Sequence, residues 1–382
     1  MFGKVLLAVI MIALCAPATA ANEMAKSSPF KFTEAPGPHA VGLRVVDLRD
    51  ASRPFGNERS RRLQTLVWYP AKTSASSPMT VGDYVRLTLT EPELHAKWMS
   101  RVGSSVTTPL RANRDANAAA GRYPVVIYAP SDSSVSWENA DLCEYLASHG
   151  YVVIASPSMG AKTRDMTDDL PGIEAQARDI SFLIDYAKTL SDTDMSVVAV
   201  ASFSWGGISD LFAAAKDDRI DALISLDGSK RYFPGLVKRA GYVHPEKLPI
   251  PLLAFTRGEI TLETVASQLS APDNIGPSVL NAWTHGDLLT VEMNAMAHQQ
   301  FSSMLERRPT HYLDDELPGY AWDEGSAGFR WVARYTLWFL DAYLKHDASS
   351  LARLKAVPAT NGVPRHVMNA SFRAANAPNA VP

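Results

Sequence analysis

One stretch decides the predicted fold: Ser196-Val-Val-Ala-Val-Ala-Ser-Phe-Ser204-Trp-Gly-Gly-Ile-Ser-Asp-Leu-Phe-Ala-Ala-Ala215. It begins with small and β-branched residues, which are typical of a strand buried on both faces. It ends with apolar residues three and four positions apart, as on one face of a helix: Ile208, Leu211, Phe212 and Ala215. Ser204 lies between the two, where a sharp turn exposes a hydroxyl above the sheet. The pattern predicts a nucleophile elbow, with Ser202 in place of the usual first glycine; the alternative is a turn without chemistry.

Length and composition indicate one large globular domain or at most two. The chain has 382 residues, of which 46% are hydrophobic and 20% are charged. The net charge of −3 and the lack of a basic run argue against nucleic acid as a partner. No apolar stretch reaches 18 residues, so we expect no integral membrane span. The sequence has no glycine-rich phosphate loop, no dinucleotide fingerprint and no His-Glu-x-x-His motif, so we expect neither a cofactor nor a metal.

The N-terminus has the three parts of a secretory signal. Lys4 precedes an apolar run over 5–14, and Ala18-Thr-Ala20 provides small residues for cleavage. We predict a signal peptide over residues 1–20, cleavage after Ala20, and a secreted or periplasmic protein. A lipoprotein attached at Cys15 is the alternative. Cleavage after Ala20 leaves Cys143 alone, so no internal disulfide can form, and we assign this thiol no catalytic role.

Strand patterns alternate with helix patterns along the mature chain. Almost continuous apolar runs predict, besides the elbow strand, strands over 41–48, 62–69, 124–130, 151–156, 220–226, 250–255 and 288–293. Helical spacing predicts, besides the elbow helix, helices over 139–149, 172–190 and 327–345. Buried strands that alternate with helices predict an α/β fold, with a mostly parallel central sheet covered by helices on both faces.

The remaining segments set the domain limits. We expect a loose arm over 21–40, a single domain over 41–348 and a flexible tail over 349–382. Residues 72–122 have mixed character and are predicted to be an insertion that lies over the sheet. This insertion and the irregular segment 260–286 are both candidates for a lid, because long loops are often functional.

A serine nucleophile requires a base, and the base requires an acid that orients it. In a parallel sheet these groups lie at the carboxyl ends of strands. Asp227 ends the strand that follows the elbow unit. Glu259 ends the next strand and is the rival acid, with Asp273 further along the same loop. Position alone therefore leaves more than one candidate for the acid.

His298 is the candidate base because it follows the strand over 288–293 at its carboxyl end. His285 precedes that strand, at the opposite end. The other histidines lie in arms, helix ends, polar loops or the tail: His39, His95, His149, His244, His311, His346 and His366. Acyl transfer also requires backbone N–H donors for the oxyanion, and we expect these at Trp205 and at Asp132, with Ser133 as the alternative to Asp132.

The order and spacing of several short motifs resemble the platelet-activating-factor acetylhydrolase family (plasma/isoform II type), within the dienelactone-hydrolase-like α/β-hydrolases. The resembling motifs are Leu66-Val-Trp-Tyr-Pro-Ala71, Pro124-Val-Val-Ile-Tyr128, Leu146-Ala-Ser-His-Gly-Tyr151, Arg178-Asp-Ile180, Ser202-Phe-Ser-Trp-Gly-Gly207, Ile224-Ser-Leu-Asp-Gly228 and His298-Gln-Gln-Phe301. The resemblance implies calcium-independent ester hydrolysis without a cofactor, and it favours Asp227 over Glu259 as the acid. Two positions depart from the family: Pro130-Ser131 replaces its His-Gly, and Ser202 replaces its elbow glycine.

Two functions from different classes follow from these residues. The first is a serine esterase with Ser204, His298 and Asp227 as its triad, which acts on a small-molecule or lipid-like ester. The second is a non-catalytic protein of the same fold that binds a ligand or a partner, for which the two departures argue.

Overall fold

The computed structural model describes residues 30–88, 91–258, 278–308 and 322–376. The predicted signal peptide, both rival acids and most of the irregular segment 260–286 lie outside these ranges. Among the described helices, none is long and apolar enough to cross a membrane.

A single sheet forms the centre of the described structure. Its strands are, in chain order, β1 Ala40–Asp50, β2 Arg61–Ala71, β3 Ala112–Arg114, β4 Tyr123–Ala129, β5 Val152–Ala155, β6 Thr193–Phe203, β7 Ala222–Leu226, β8 Leu252–Arg257, β9 Leu288–Met293 and β10 Met368–Arg373. Their order across the sheet is β10-β9-β8-β7-β6-β4-β5-β2-β1-β3. The strands from β9 to β5 in this order are parallel, and β2 is antiparallel to both of its neighbours. The sheet is therefore mostly parallel, as the sequence predicts.

Helices cover both faces of this sheet. They are α1 Val81–Arg86, α2 Pro92–Val102, α3 Ala140–Ser148, α4 Leu170–Ala187, α5 Gly206–Ala214, α6 Pro234–Ala240, α7 Val279–Ala282, α8 Trp322–Leu344 and α9 Ala348–Lys355. Apolar residues of α3 and α8 form one core cluster, and those of α4 and α5 form the other. Successive side chains of a strand point to opposite faces, so Val126 and Tyr128 join the first cluster while Val125 and Ile127 join the second. Burial on both faces explains why β4 is apolar at consecutive positions.

The insertion over 72–122 covers the sheet only in part. Trp68 of β2 donates a hydrogen bond from its indole N–H to the hydroxyl of Tyr84 in α1 (2.8 Å), which fixes the first part of the insertion against the sheet. The last part instead extends the sheet, because Ala112 of β3 pairs in parallel with Val41 of β1.

The predicted loose arm over 21–40 is packed where the structure describes it. Phe30 is buried and lies edge-on against Phe329 of α8, with ring centroids 5.6 Å apart. Glu34 is also buried, and its carboxylate forms an ion pair with Arg334 at 2.5 Å. The prediction was wrong here because a polar, proline-rich composition gives no sign of these two separate anchors.

The predicted flexible tail over 349–382 is likewise ordered up to residue 376. The side chain of Asp347 caps α9, and β10 then pairs antiparallel with β9 from Met368 opposite Met293 to Arg373 opposite Leu288. The final strand occupies what would otherwise be an exposed edge of the sheet beside β9. A six-residue strand in an Ala/Pro/Asn-rich segment is too short for its alternation to stand out, so the sequence does not predict β10.

Candidate active site

Ser204 occupies a strained turn between β6 and α5. Its φ of +53° lies in the left-handed region, which residues with a side chain rarely adopt. Three backbone hydrogen bonds hold this conformation: the Ser204 N–H donates to the Leu226 carbonyl (3.1 Å), and its own carbonyl accepts from Gly207 (2.9 Å) and Ser229 (2.8 Å). The turn leaves the Ser204 side chain partly exposed while its neighbours are buried.

Close backbone approach requires the two glycines that follow the turn. A Cβ atom on Gly206 would lie 2.3 Å from the carbonyl oxygen of Ala129, and one on Gly207 would lie 2.5 Å from the Cα of Gly228. No side chain fits at either position, so the Gly-Gly pair is a geometric requirement of this elbow.

Ser202, at the position of the usual elbow glycine, is fully buried, and its hydroxyl has a hydrogen-bond acceptor beneath the turn. Its hydroxyl lies 2.6 Å from Asp210 Oδ2, to which it donates a hydrogen bond. Asp210 lies 2.7 Å from the ammonium of Lys230, and both side chains are buried. Burial raises the pKa of Asp210 and lowers that of Lys230, whereas the charge of each partner acts in the opposite direction. This buried pair, which no sequence signal marked, joins the elbow helix to the loop that follows β7.

The structure brings Ser204, His298 and Asp227 into one chain of hydrogen bonds. His298 Nε2 lies 2.8 Å from Ser204 Oγ, and Nδ1 lies 2.6 Å from Asp227 Oδ2. Because a carboxylate can only accept, Nδ1 carries the proton, and Nε2 is free to accept from the serine hydroxyl. The His298 ring packs against Phe203, with centroids 4.9 Å apart.

Asp227 contacts two other side chains besides that of His298. It is buried, has a φ of +42°, and accepts a hydrogen bond at Oδ1 from the hydroxyl of Tyr232 (2.6 Å). The Nε atom of Arg257, at the end of β8, lies 2.6 Å from Oδ2. Burial by itself raises the pKa of Asp227, but the hydrogen bond and charge of His298, the charge of Arg257 and the Tyr232 hydroxyl together lower it below its ordinary value. The carboxylate therefore stays ionised.

Neither Tyr232 nor Arg257 was singled out from the sequence. Arg257 stands at a strand end, in the same Thr-Arg-Gly-Glu segment that suggested Glu259 as an acid. Strand-end position was therefore a usable signal for Arg257.

The two expected oxyanion donors follow neighbouring strands. Ala129 of β4 is paired with Ser202 of β6, so the loop that holds Asp132 and the turn that holds Trp205 leave the same edge of the sheet. Within the described part of the chain, the N–H groups of Trp205 and Asp132 donate to no backbone carbonyl. Ser133, the alternative, has a φ of +51°.

The described residues include no group of three or more His, Cys, Asp or Glu side chains that could hold a metal ion. Cys143 lies buried in α3.

The strand order and the strained serine turn define the α/β-hydrolase fold. The chain is similar to the solved structure of a ferulic acid esterase from Streptomyces cinnamoneus, with a TM-score of 0.62 and 21% sequence identity over 88% of this chain and 98% of that chain. No protein-family model and no curated protein matches the chain. The likeness shows a shared fold over most of both chains.

Proposed function

We propose that this protein is a serine esterase that hydrolyses carboxylic esters through an acyl-enzyme. The observation that carries the proposal is the hydrogen-bonded chain from Ser204 through His298 to Asp227, built on a strained turn. A buried carboxylate and a left-handed serine both cost free energy. A protein that only binds a ligand has no need of this combination, so the geometry favours the esterase over the non-catalytic alternative.

Each of the three side chains has one role in the reaction. Ser204 Oγ attacks the ester carbonyl while His298 Nε2 takes its proton. His298 then gives this proton to the leaving alcohol, and it later activates the water that hydrolyses the acyl-enzyme. Asp227 stays ionised, fixes the tautomer of His298 and stabilises the imidazolium.

The oxyanion of the tetrahedral intermediate is held by backbone donors in this proposal. The N–H of Trp205 directly follows the nucleophile, and that of Asp132 comes from the loop after β4. Such donors act on charge that develops in the transition state, so they raise turnover more than substrate affinity.

The substrate in this proposal is a small-molecule or lipid-like ester, and the location is secreted or periplasmic. The name of the similar structure supports ester hydrolysis. His298 contacts Asp227, which directly follows the strand after the elbow unit. This position of the acid agrees with the acetylhydrolase-family resemblance. The signal-like sequence of residues 1–20 supports export.

Substitution of the base and the acid tests the proposal. His298→Ala should remove nearly all hydrolysis of a series of nitrophenyl esters, and Asp227→Asn should lower kcat by about 10⁴-fold because the imidazole loses its orienting carboxylate. His285→Ala is the matched control, since His285 is exposed and precedes β9. Folded His298→Ala and Asp227→Asn variants that turn over like wild type would contradict the proposal.

A further inference from the structure

A buried carboxylate lies beneath the loop that follows β4. Glu138 is 1% exposed, and its Oε2 accepts a hydrogen bond from the backbone N–H of Ser131 (2.8 Å). Its Oε1 accepts from the hydroxyls of Ser131 and Ser134, the latter at 2.6 Å. One side chain thus holds both ends of the segment Ser131–Ser134, which contains the N–H of Asp132.

Other contacts fix the rest of this segment. The hydroxyl of Ser133 accepts from the Met166 N–H at 2.8 Å. The carbonyl of Ser134 accepts from the Ser158 N–H (3.1 Å) and from Arg164 Nη2 (3.0 Å). Because the segment is held on both sides of Asp132, the direction of that N–H is set by its neighbours.

Glu138 also connects this loop to the segment that carries the histidine. Its backbone carbonyl accepts from the hydroxyl of Ser302 (2.8 Å), which lies directly after the short 3₁₀ turn His298–Phe301. Glu138 therefore contacts both the loop after β4 and the segment that carries His298.

The carboxylate of Glu138 is stabilised by neutral hydrogen-bond donors. Among the described residues it has no ion-pair partner, and Arg101, Tyr128 and His298 are the charged or titratable groups that interact with it electrostatically. Burial raises the pKa of Glu138, while the Ser131 and Ser134 hydrogen bonds lower it. A buried carboxylate is unfavourable unless it is hydrogen-bonded, so the loop and Glu138 stabilise each other only in this arrangement.

We propose that Glu138 is a positioning residue for the oxyanion donor: it holds Ser131–Ser134 so that the Asp132 N–H faces the developing oxyanion. The inference rests on the proposed esterase function. It also accounts for Pro130-Ser131 at the position of the family's His-Gly, because Ser131 supplies two of the donors that Glu138 accepts.

Glu138→Gln tests this role with almost no change in size. A glutamine has one acceptor oxygen, and its NH₂ group donates, so it cannot accept all three hydrogen bonds. Loss of one oxyanion donor lowers kcat by about 10²–10³-fold. We expect a displaced donor to lower kcat by roughly 10- to 100-fold and to change KM by less than about threefold.

Glu144→Gln is the matched control. Glu144 is buried in the adjoining α3 but accepts from the Tyr84 hydroxyl (2.6 Å) and the Arg111 N–H (2.5 Å), away from the loop. Its kcat should stay close to wild type. Ser134→Ala, which removes a single donor, gives a milder test if Glu138→Gln does not fold, and should lower kcat by roughly 2- to 10-fold.

Amide hydrogen exchange supplies a readout that is independent of turnover. Exchange in Ser131–Ser134 should be faster in Glu138→Gln, or in Ser134→Ala, than in Glu144→Gln. The inference is overturned if kcat falls no further than in Glu144→Gln, or if kcat falls while exchange in the loop is unchanged. A wild-type protein that hydrolyses no ester and reacts with no fluorophosphonate would overturn the proposed function and this inference together, whereas an active wild type with a normal Glu138→Gln variant overturns the inference alone.

Discussion

Ser202 and Ser131 stand at two positions where the acetylhydrolase motifs that the sequence resembles have glycine, and each donates its hydroxyl to a buried carboxylate. Beneath the elbow, the acceptor is Asp210, which is paired with the ammonium of Lys230. In the loop after β4, the acceptor is Glu138, which is surrounded by neutral donors. One carboxylate thus joins structural elements through a buried ion pair, while the other shapes a loop through hydrogen bonds.

The two arrangements should respond differently to mutation. Removal of one member of a buried ion pair leaves an uncompensated charge and costs about 3–5 kcal/mol. Loss of a hydrogen bond to a charged group costs about 1.5–3 kcal/mol. We therefore expect the elbow pair to have the larger effect on the free energy of unfolding. The loop should in addition affect kcat, because it carries the proposed oxyanion donor.

The largest expected effect concerns the elbow pair. Asp210→Asn should lower the free energy of unfolding by about 3–5 kcal/mol, because Lys230 remains buried without a counter-charge. The double variant Asp210→Asn/Lys230→Met should lose less than either single variant. Urea unfolding of Asp210→Asn, Lys230→Met and the double variant measures this, and additive losses would show that the two charges are not coupled.

Glu144, another buried carboxyl group, should make the stability of the protein depend on pH. Burial raises the pKa of Glu144 to about 7, so the folded protein holds this proton more tightly than the unfolded chain does. The resulting stability is fully present below about pH 4.5 and is lost as pH rises through 7. The unfolding free energy of Glu144→Gln should therefore rise relative to wild type by about 3 kcal/mol over this window. Urea unfolding at several pH values measures the difference, and a constant difference would contradict the assigned cause.

The smallest expected effects are those of replacing Ser202 and Ser131, which should differ in kcat. Ser202→Ala should lower the unfolding free energy by about 1.5–3 kcal/mol through the lost hydrogen bond to Asp210 and leave kcat within about twofold of wild type. Ser131→Ala keeps its backbone donor but loses its hydroxyl donor, so it should lower the unfolding free energy by a similar amount and also lower kcat by roughly 2- to 10-fold. Steady-state kinetics gives kcat, and urea unfolding gives the unfolding free energy, for both serine variants. The same pattern in both variants would remove the distinction between elbow and loop.

Patterns of apolar residues predicted the central strands and helices because these elements are buried on regular faces. The four consecutive apolar residues of β4, Val125–Tyr128, face both clusters alternately, which produces a continuous run. The positions of Asp227 and His298 followed from a similar rule, since side chains at the carboxyl ends of parallel strands meet at one edge. Their functional roles stay predictions.

The features that the sequence did not reveal depend on contacts between distant segments. Glu138 stands just before α3 and resembles any polar helix start, although it meets Ser302 across 164 positions of the chain. Glu34 and β10 were hidden by the composition of the segments around them. A backbone N–H such as that of Asp132 has no side-chain signature, so only its neighbours in space reveal how it is held.

Covalent labelling by a fluorophosphonate, followed by peptide mass spectrometry, tests directly whether Ser204 is an activated nucleophile. An activated serine attacks phosphorus and displaces fluoride, while the phosphoryl oxygen occupies the oxyanion position. We predict one label per chain, on Ser204, that is absent in Ser204→Ala and strongly slowed in His298→Ala. A folded wild-type protein that stays unlabelled under conditions that label an ordinary esterase, or a label that persists in Ser204→Ala, would contradict the assignment of Ser204 as the nucleophile.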